Sequence, residues 1–203
     1  MRWFRPLFFS RWFYRKAIFR VKTTEKVLYL TFDDGPDRET TFPLMRILSD
    51  HGIRALFFCS GRAASENQDI VNALRAAGHI IGNHGYEHNN GFTTGNNAYF
   101  ENAEKADRLT SEKLFRPPFG KMKISQYLRL KRKYDIILWD IMPYDFDPQF
   151  GAANSLNVLK KIIRPGSIIA LHDNKESTLP EFIEEFIVFA KSEGWRFEGR
   201  RDK

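Results

Sequence analysis

Short runs of β-forming apolar residues alternate with amphipathic stretches along almost the whole chain. Val27-Leu28-Tyr29-Leu30-Thr31-Phe32 predicts a strand that stops at Gly35-Pro36. Residues 39–51 predict a helix, with Phe42, Leu44, Met45, Ile47 and Leu48 at roughly helical spacing. Residues 55–58 predict a second strand, residues 69–77 a helix capped by Gly78, and residues 79–81 a third strand. Residues 97–113 predict a charged helix with Phe100, Ala103 and Leu109 inward, and residues 123–133 a basic helix. A strand over 136–139, a helix over 155–163 ended by Pro165-Gly166, and a strand over 167–171 follow. A helix over 178–192, with Pro180 in its first turn, and a short strand over 195–197 complete the pattern.

Alternating strands and helices point to right-handed βαβ units and a parallel sheet, an α/β architecture. An open doubly wound sheet and a small, incomplete barrel both fit. Either one gathers its chemistry just after strand C-termini. The polar clusters fall there: Asp33-Asp34, Asn83-His84 with His88, Arg116-Pro117-Pro118-Phe119-Gly120, Asp140 with Asp145, and His172-Asp173.

The 203 residues suffice for one domain with a real core, and no repeat or low-complexity tract interrupts them. The formal charge of +7 is unevenly placed. Arg2, Arg5, Arg11, Arg15, Lys16 and Arg20 stand in the first 20 residues without an acid, leaving 26 basic against 25 acidic residues elsewhere. A nearly neutral body gives no broad nucleic-acid-binding face. Residues 1–22 are read as a basic aromatic arm and residues 23–203 as the catalytic domain. The arm lacks the apolar run and cleavage site of a signal peptide, and it is too short and too charged to span a bilayer. It either packs its aromatics on its own domain or lies on a membrane surface as a peripheral anchor. The expected location is cytoplasmic or peripheral to a membrane. The lone Cys59, in an apolar run, reads as a small core residue. Nothing in the sequence sets an oligomeric state.

Two adjacent carboxylates at a strand end, Asp33 and Asp34, suit divided labour: one as a metal ligand, the other as a base. A helix N-cap is the plainer role for such a pair. His84 and His88, at i and i+4, can reach one ion, and with Asp34 they supply two nitrogens and one oxygen with a position left open for water. His172, at a strand end, can protonate a leaving nitrogen. His51 and His79 read as element-end histidines without function.

In this order the motifs resemble the NodB-type polysaccharide deacetylases, carbohydrate esterase family 4. Thr31-Phe32-Asp33-Asp34-Gly35-Pro36 matches the family's first motif, and His84 with His88 the second. Arg116-Pro117-Pro118-Phe119-Gly120 is similar to the third, Asp145-Phe146 to the fourth, and Leu171-His172 to the fifth. The resemblance implies a distorted (β/α) barrel with about seven parallel strands. It implies a divalent metal, zinc most commonly and cobalt or nickel less so, on Asp34, His84 and His88. It further implies Asp33 as general base held by Arg116, the Phe119 N–H facing an oxyanion, and His172 as general acid oriented by Asp145. Phe146 and Leu171 would line an acetyl pocket. Gly85 stands where the family has Ser or Thr, Glu87 adds an acid between the ligands, and Asp140 is a candidate substitute for an acid that Met142 replaces. The function implied is metal-dependent removal of N-acetyl, or O-acetyl, groups from a glycan such as peptidoglycan or a chitin-like oligomer. Alternatives are a membrane-associated deformylase or deacetylase of a lipid-linked amino sugar, a catalytically silent glycan-binding domain, and a two-His-one-carboxylate iron oxygenase.

Overall fold

Residues Val27–Asp34 form β1, whose residues are buried through Asp33 because it lies at the centre of a parallel sheet covered on both faces. Its neighbours are β2 (Leu56–Cys59) and β6 (Ser167–His172), both parallel to it. Beyond β2 follow β3 (Ile80–Asn83), β4 (Leu114–Phe115) and β5 (Asp135–Ile136), and the short β7 (Arg196–Phe197) pairs with Val27 and Leu28. The order β5-β4-β3-β2-β1-β6, all parallel, with β7 beside β1, makes a curled, seven-stranded half-barrel, in keeping with the distorted barrel that the resemblance implies. The computed structural model describes residues 2–110 and 113–199, without the side chain of Phe8; the expected helix at 111 and 112 lies outside the described residues.

Strand alternation sorts the core. Leu28, Leu30 and Phe32 of β1, with Ile169 and Leu171 of β6, face the outer helices. Tyr29 of β1 and Ile168 of β6 face the barrel interior with Phe58 and Ile137. The outer layer comprises α2 (Thr41–Asp50), α3 (Gly61–Glu66), α4 (Gln68–Ala76), α7 (Ala152–Ile162) and α8 (Ile183–Ser192). Two further helices, α5 (Asn96–Ala106) and α6 (Ile124–Leu130), carry a third apolar cluster around Tyr99, Phe115 and Tyr127. α3 is too short for a period to show in sequence, and Ser60 caps it. The predicted strand over 136–139 is mostly irregular: past Ile136, Ile137 still donates to the Phe115 carbonyl of β4 but bridges Ile18 of the N-terminal arm, and the Leu138 N–H donates to the arm.

That arm closes the barrel's open seam. Ile18 bridges Ile137 in parallel, Arg20 bridges Ser167 in antiparallel, and Ile141 bridges Ile169. The Val21 N–H donates to the Gly166 carbonyl at 2.9 Å. Gly166 sits at φ +74, and a Cβ there would lie 1.9 Å from the Val21 carbonyl oxygen, so only glycine lets the arm approach. Tyr14 and Phe19 are buried against α5 and α6. Asp140, fully buried, accepts hydrogen bonds from Arg5 at 2.5 Å, from Arg164 and from the Ser167 hydroxyl. Its place beside the start of β6 puts it at the opposite end of the barrel from His172, so it cannot stand in for a catalytic acid.

Candidate active site

β1 ends at Asp33-Asp34, where its alternation breaks: Asp33 is buried in the barrel, while Asp34 takes φ 77 and turns toward the mouth. This turn lets adjacent residues serve one site. The Arg116 guanidinium, itself fully buried, donates to Asp33 Oδ1 at 2.7 Å and to the Thr31 hydroxyl at 2.6 Å. It also donates to the Ile137 and Leu138 carbonyls at 3.3 and 3.0 Å and lies 4.2 Å over the Phe58 ring. Burial lowers its pKa from the ordinary value, and the Asp33 carboxylate opposes that shift. An arginine so held remains a cation and fixes the carboxylate's orientation.

Asp34 Oδ2 accepts from Asn174 at 2.9 Å, but its buried Oδ1 has no hydrogen-bond donor. His88 Nε2 and His84 Nε2 stand 3.2 and 3.6 Å from that oxygen. The three ligand atoms lie within 4.8 Å of one another, a spacing one cation can satisfy. His84 Nδ1 faces the Arg116 carbonyl at 2.8 Å. A carbonyl only accepts, so Nδ1 carries the proton and Nε2 presents its lone pair. Burial drives the His84 pKa down to about 3 despite Asp34, keeping that imidazole neutral. An orphaned carboxylate oxygen between two imidazole nitrogens fits a divalent cation better than it fits a structural ion pair.

His84 and His88 lie on a loop. Gly85, at φ +77, donates its N–H to Asn83 Oδ1 at 2.7 Å, and a Cβ there would lie 2.7 Å from Asn102 Nδ2. A serine at this position would therefore strain the loop. Glu87 points away from the ligands and pairs with Arg62 at 2.9 Å, so its charge is spent outside the site. That hydrogen bond holds the Glu87 pKa below the usual range.

His172 ends β6. Its Nδ1 lies 3.1 Å from Asp145 Oδ1, and its backbone N–H donates to Asp145 Oδ2 at 2.7 Å. The Ser177 hydroxyl completes that carboxylate at 2.9 Å. Burial by itself lowers the His172 pKa, but Asp145, through charge and hydrogen bond, with Asp34 and Asp33, raises it to about 9. Phe146 packs edge-on against His172 at 4.9 Å, and the Phe119 ring lies 4.2 Å from that of His88. Phe119 takes φ 57, and its N–H has no acceptor among the described residues.

Asp33, Asp34, His84, His88, Arg116, Phe119, Asp145, Phe146 and His172 thus meet at the strand C-terminal end. Leu171 does not: it is fully buried in the outer core with Phe182 and Ile183. Strand alternation puts Ala170, two residues before His172, in the layer next to Thr31, while Leu171 faces the helices. Asn174 and Ser177 escaped sequence reasoning, since polar residues in a loop after β6 carry no periodic signal. A cavity of about 1010 Å³ lies at the other end of the barrel and includes two of the groups that hold Arg116, Thr31 and Ile137.

A curled parallel half-barrel with a two-histidine, one-carboxylate cluster between a buried Asp–Arg pair and a His–Asp pair defines an α/β scaffold with a candidate metal site at its strand ends. The sequence profile described as polysaccharide deacetylase matches residues 20–136. A peptidoglycan-N-acetylglucosamine deacetylase of Bacillus cereus is 30% identical over 178 residues, 83% of this chain and 64% of that relative, just under two thirds of its length. A chitooligosaccharide deacetylase of Azorhizobium caulinodans is 31% identical over 76% of this chain and 77% of its own. The solved Bc1960 peptidoglycan N-acetylglucosamine deacetylase superposes with a TM-score of 0.86 at 27% identity, covering 94% of both chains. The chain belongs to the polysaccharide deacetylase family, the NodB-type deacetylases of carbohydrate esterase family 4.

Proposed function

We propose that this protein is a metal-dependent deacetylase that removes N-acetyl groups from an amino-sugar glycan of the peptidoglycan or chitin-like kind. The observation that carries the reading is the orphaned Asp34 Oδ1 facing two imidazole nitrogens, flanked by two separately held proton carriers. Asp34, His84 and His88 would hold the cation, with zinc suiting a donor set of two nitrogens and one oxygen. When bound, such an ion polarises an amide carbonyl and lowers the pKa of water from 15.7 toward roughly 7–9.

The chain's own residues supply the rest. Arg116 occupies Asp33 Oδ1 and leaves Oδ2 to take the proton of the attacking water. The Phe119 N–H, unpaired, is available to the oxyanion of the tetrahedral intermediate. Asp145 turns His172 so that Nε2 points outward, and it stabilises the imidazolium that gives its proton to the departing amine. Phe146 shields the His172 side of the mouth with an apolar edge.

Relatives named for peptidoglycan and for chitooligosaccharides support a glycan substrate. A second substrate reading, a lipid-linked amino sugar, draws on the exposed aromatic arm beside the mouth, where the Trp3 N–H meets the Tyr144 hydroxyl at 3.1 Å. Acetate release from N-acetylglucosamine oligomers and from peptidoglycan tests the proposal, with zinc-loaded, cobalt-loaded and chelated protein compared. We expect metal-dependent release that Asp33→Asn lowers by about 10²–10⁴-fold. No release from metal-loaded protein on either glycan would reject the proposal in favour of lipid-linked substrates or silent binding.

A further inference from the structure

The N-terminal arm divides into two halves. Tyr14 and Phe19 are buried against the domain, whereas Trp3, Leu7, Phe9, Trp12 and Phe13 are 50–66% exposed. These five large apolar side chains fall within eleven residues, on and around α1 (Phe8–Phe13). Scattered surface hydrophobics need no explanation, but a cluster of this kind marks a contact surface. Trp12 and Phe13 already pack edge to face at 5.0 Å, which presents them as one projecting wedge.

The charges around the wedge say what covers it. Residues 1–20 carry six cations and no acid. Arg2 is paired with Asp147, and Arg5 with Asp140. Arg11 reaches Asp140 only at 3.5 Å, a carboxylate already taken by Arg5 and Arg164. Arg15 and Lys16, both exposed, have no ion-pair partner among the described residues. The basic edge continues to the C-terminal end of α6, where the ammonium of Lys131, just past the helix, lies 5.1 Å over the Tyr127 ring, and the hydroxyl of that tyrosine accepts the Lys16 backbone N–H at 2.7 Å. Exposed tryptophan and phenylalanine beside uncompensated cations match an anionic bilayer surface, with the rings at headgroup depth and the cations on the lipid charge. Among the described residues no helix is long and apolar enough to cross a membrane, so contact through this arm is with the surface.

We propose that α1 and its flanking residues dock the protein on an anionic lipid surface. The exposed start of the arm is also connected to the active site. From Trp3 a line of contacts runs through the Tyr144 hydroxyl at 3.1 Å, the Phe146 ring 5.3 Å from Tyr144, and His172 at 4.9 Å from Phe146. The surface around Trp3 is thus continuous with the mouth of the site. The docking itself does not depend on the catalytic reading.

Vesicle co-sedimentation of the full chain tests this. Vesicles of phosphatidylcholine alone are compared with vesicles containing phosphatidylglycerol, at low and raised salt. Binding should be at least about tenfold stronger to the anionic vesicles and weaken with salt, since each cation near the surface contributes roughly fivefold. Trp12→Ser with Phe13→Ser, and separately Arg15→Glu with Lys16→Glu, should each cut binding about tenfold or more. Acetate release from a soluble oligomer and the melting temperature should stay at wild-type values in these variants. Val188→Ser, at an exposed apolar position on α8, should change nothing. Absence of binding to anionic vesicles, or full binding by the Trp12 and Phe13 variant, would overturn the proposal. A concentration-dependent dimer in sedimentation velocity that the same variant abolishes would assign the wedge to a second copy, and would also overturn it.

Discussion

Asp140 and Asp34 both carry buried carboxylate oxygens, at opposite ends of one barrel, and they are treated in opposite ways. Around Asp140, hydrogen bonds from Arg164, Arg5 and Ser167 outweigh the burial that would otherwise raise its pKa, and they hold it below the usual range. Asp34 receives one hydrogen bond, from Asn174, and leaves its second oxygen bare before two imidazoles. The first arrangement is complete and ties the arm to the seam. The second leaves an oxygen open where the proposed cation would sit. Unspent valence, rather than burial or charge, separates the reactive end from the structural one.

The comparison is broken first by removing the proton carriers. His172→Ala should lower acetate release by about 10²–10⁴-fold with the fold retained by circular dichroism. At the seam the effect should be on stability instead. Asp140→Ala leaves Arg5 and Arg164 facing an empty site and should cost about 2–3 kcal/mol in urea unfolding. That is below the ~3–5 kcal/mol of a fully buried pair, because both arginines are partly exposed and can turn to water. A seam variant whose rate constant collapses while its stability holds would erase the distinction.

Gly85→Ser is a smaller probe of the reactive end. At φ +77, with Asn102 in the way, it should destabilise by about 1–2 kcal/mol and weaken metal binding through the loop that carries His84 and His88. Restored or improved metal affinity would show that the loop tolerates the family's usual residue.

The mildest test is pH. His172 has its folded pKa raised to about 9, above the ordinary value of 6.5. Its interaction with Asp145 therefore contributes full stability below about pH 6.5 and loses it as pH rises through about 9. As the proton donor it should give an alkaline limb in the rate no higher than about pH 9, since a bound cation cancels the share due to Asp34. Asp145→Asn should move that limb toward acid. A limb unmoved by Asp145→Asn would remove His172 from the proton-transfer step.

Much of this was legible in the chain. Thr31 to Pro36 marks a strand end and a turn, and the alternation of apolar runs predicts parallel strands. Five clusters were expected at one end; four arrive whole, and of the fifth Asp145 arrives without Asp140. Asp140 went elsewhere because residues 137–141 leave the regular sheet and pair with the arm and β6, a long-range choice that local pattern does not encode. Leu171 was placed at the pocket by the resemblance, although period-two alternation argues for the opposite face. Asn174, Ser177 and the seam contacts of Arg5 depend on residues more than a hundred positions apart or on loop geometry, and neither leaves a periodic trace.

The central claim is the division of labour between two neighbours, Asp34 for the metal and Asp33 for the proton. Equilibrium dialysis against zinc, read alongside acetate release, tests it most directly. The account predicts that Asp33→Asn binds zinc like the wild type and releases almost no acetate, whereas Asp34→Ala loses the zinc itself. Wild-type zinc uptake by Asp34→Ala, or loss of zinc by Asp33→Asn, would contradict it.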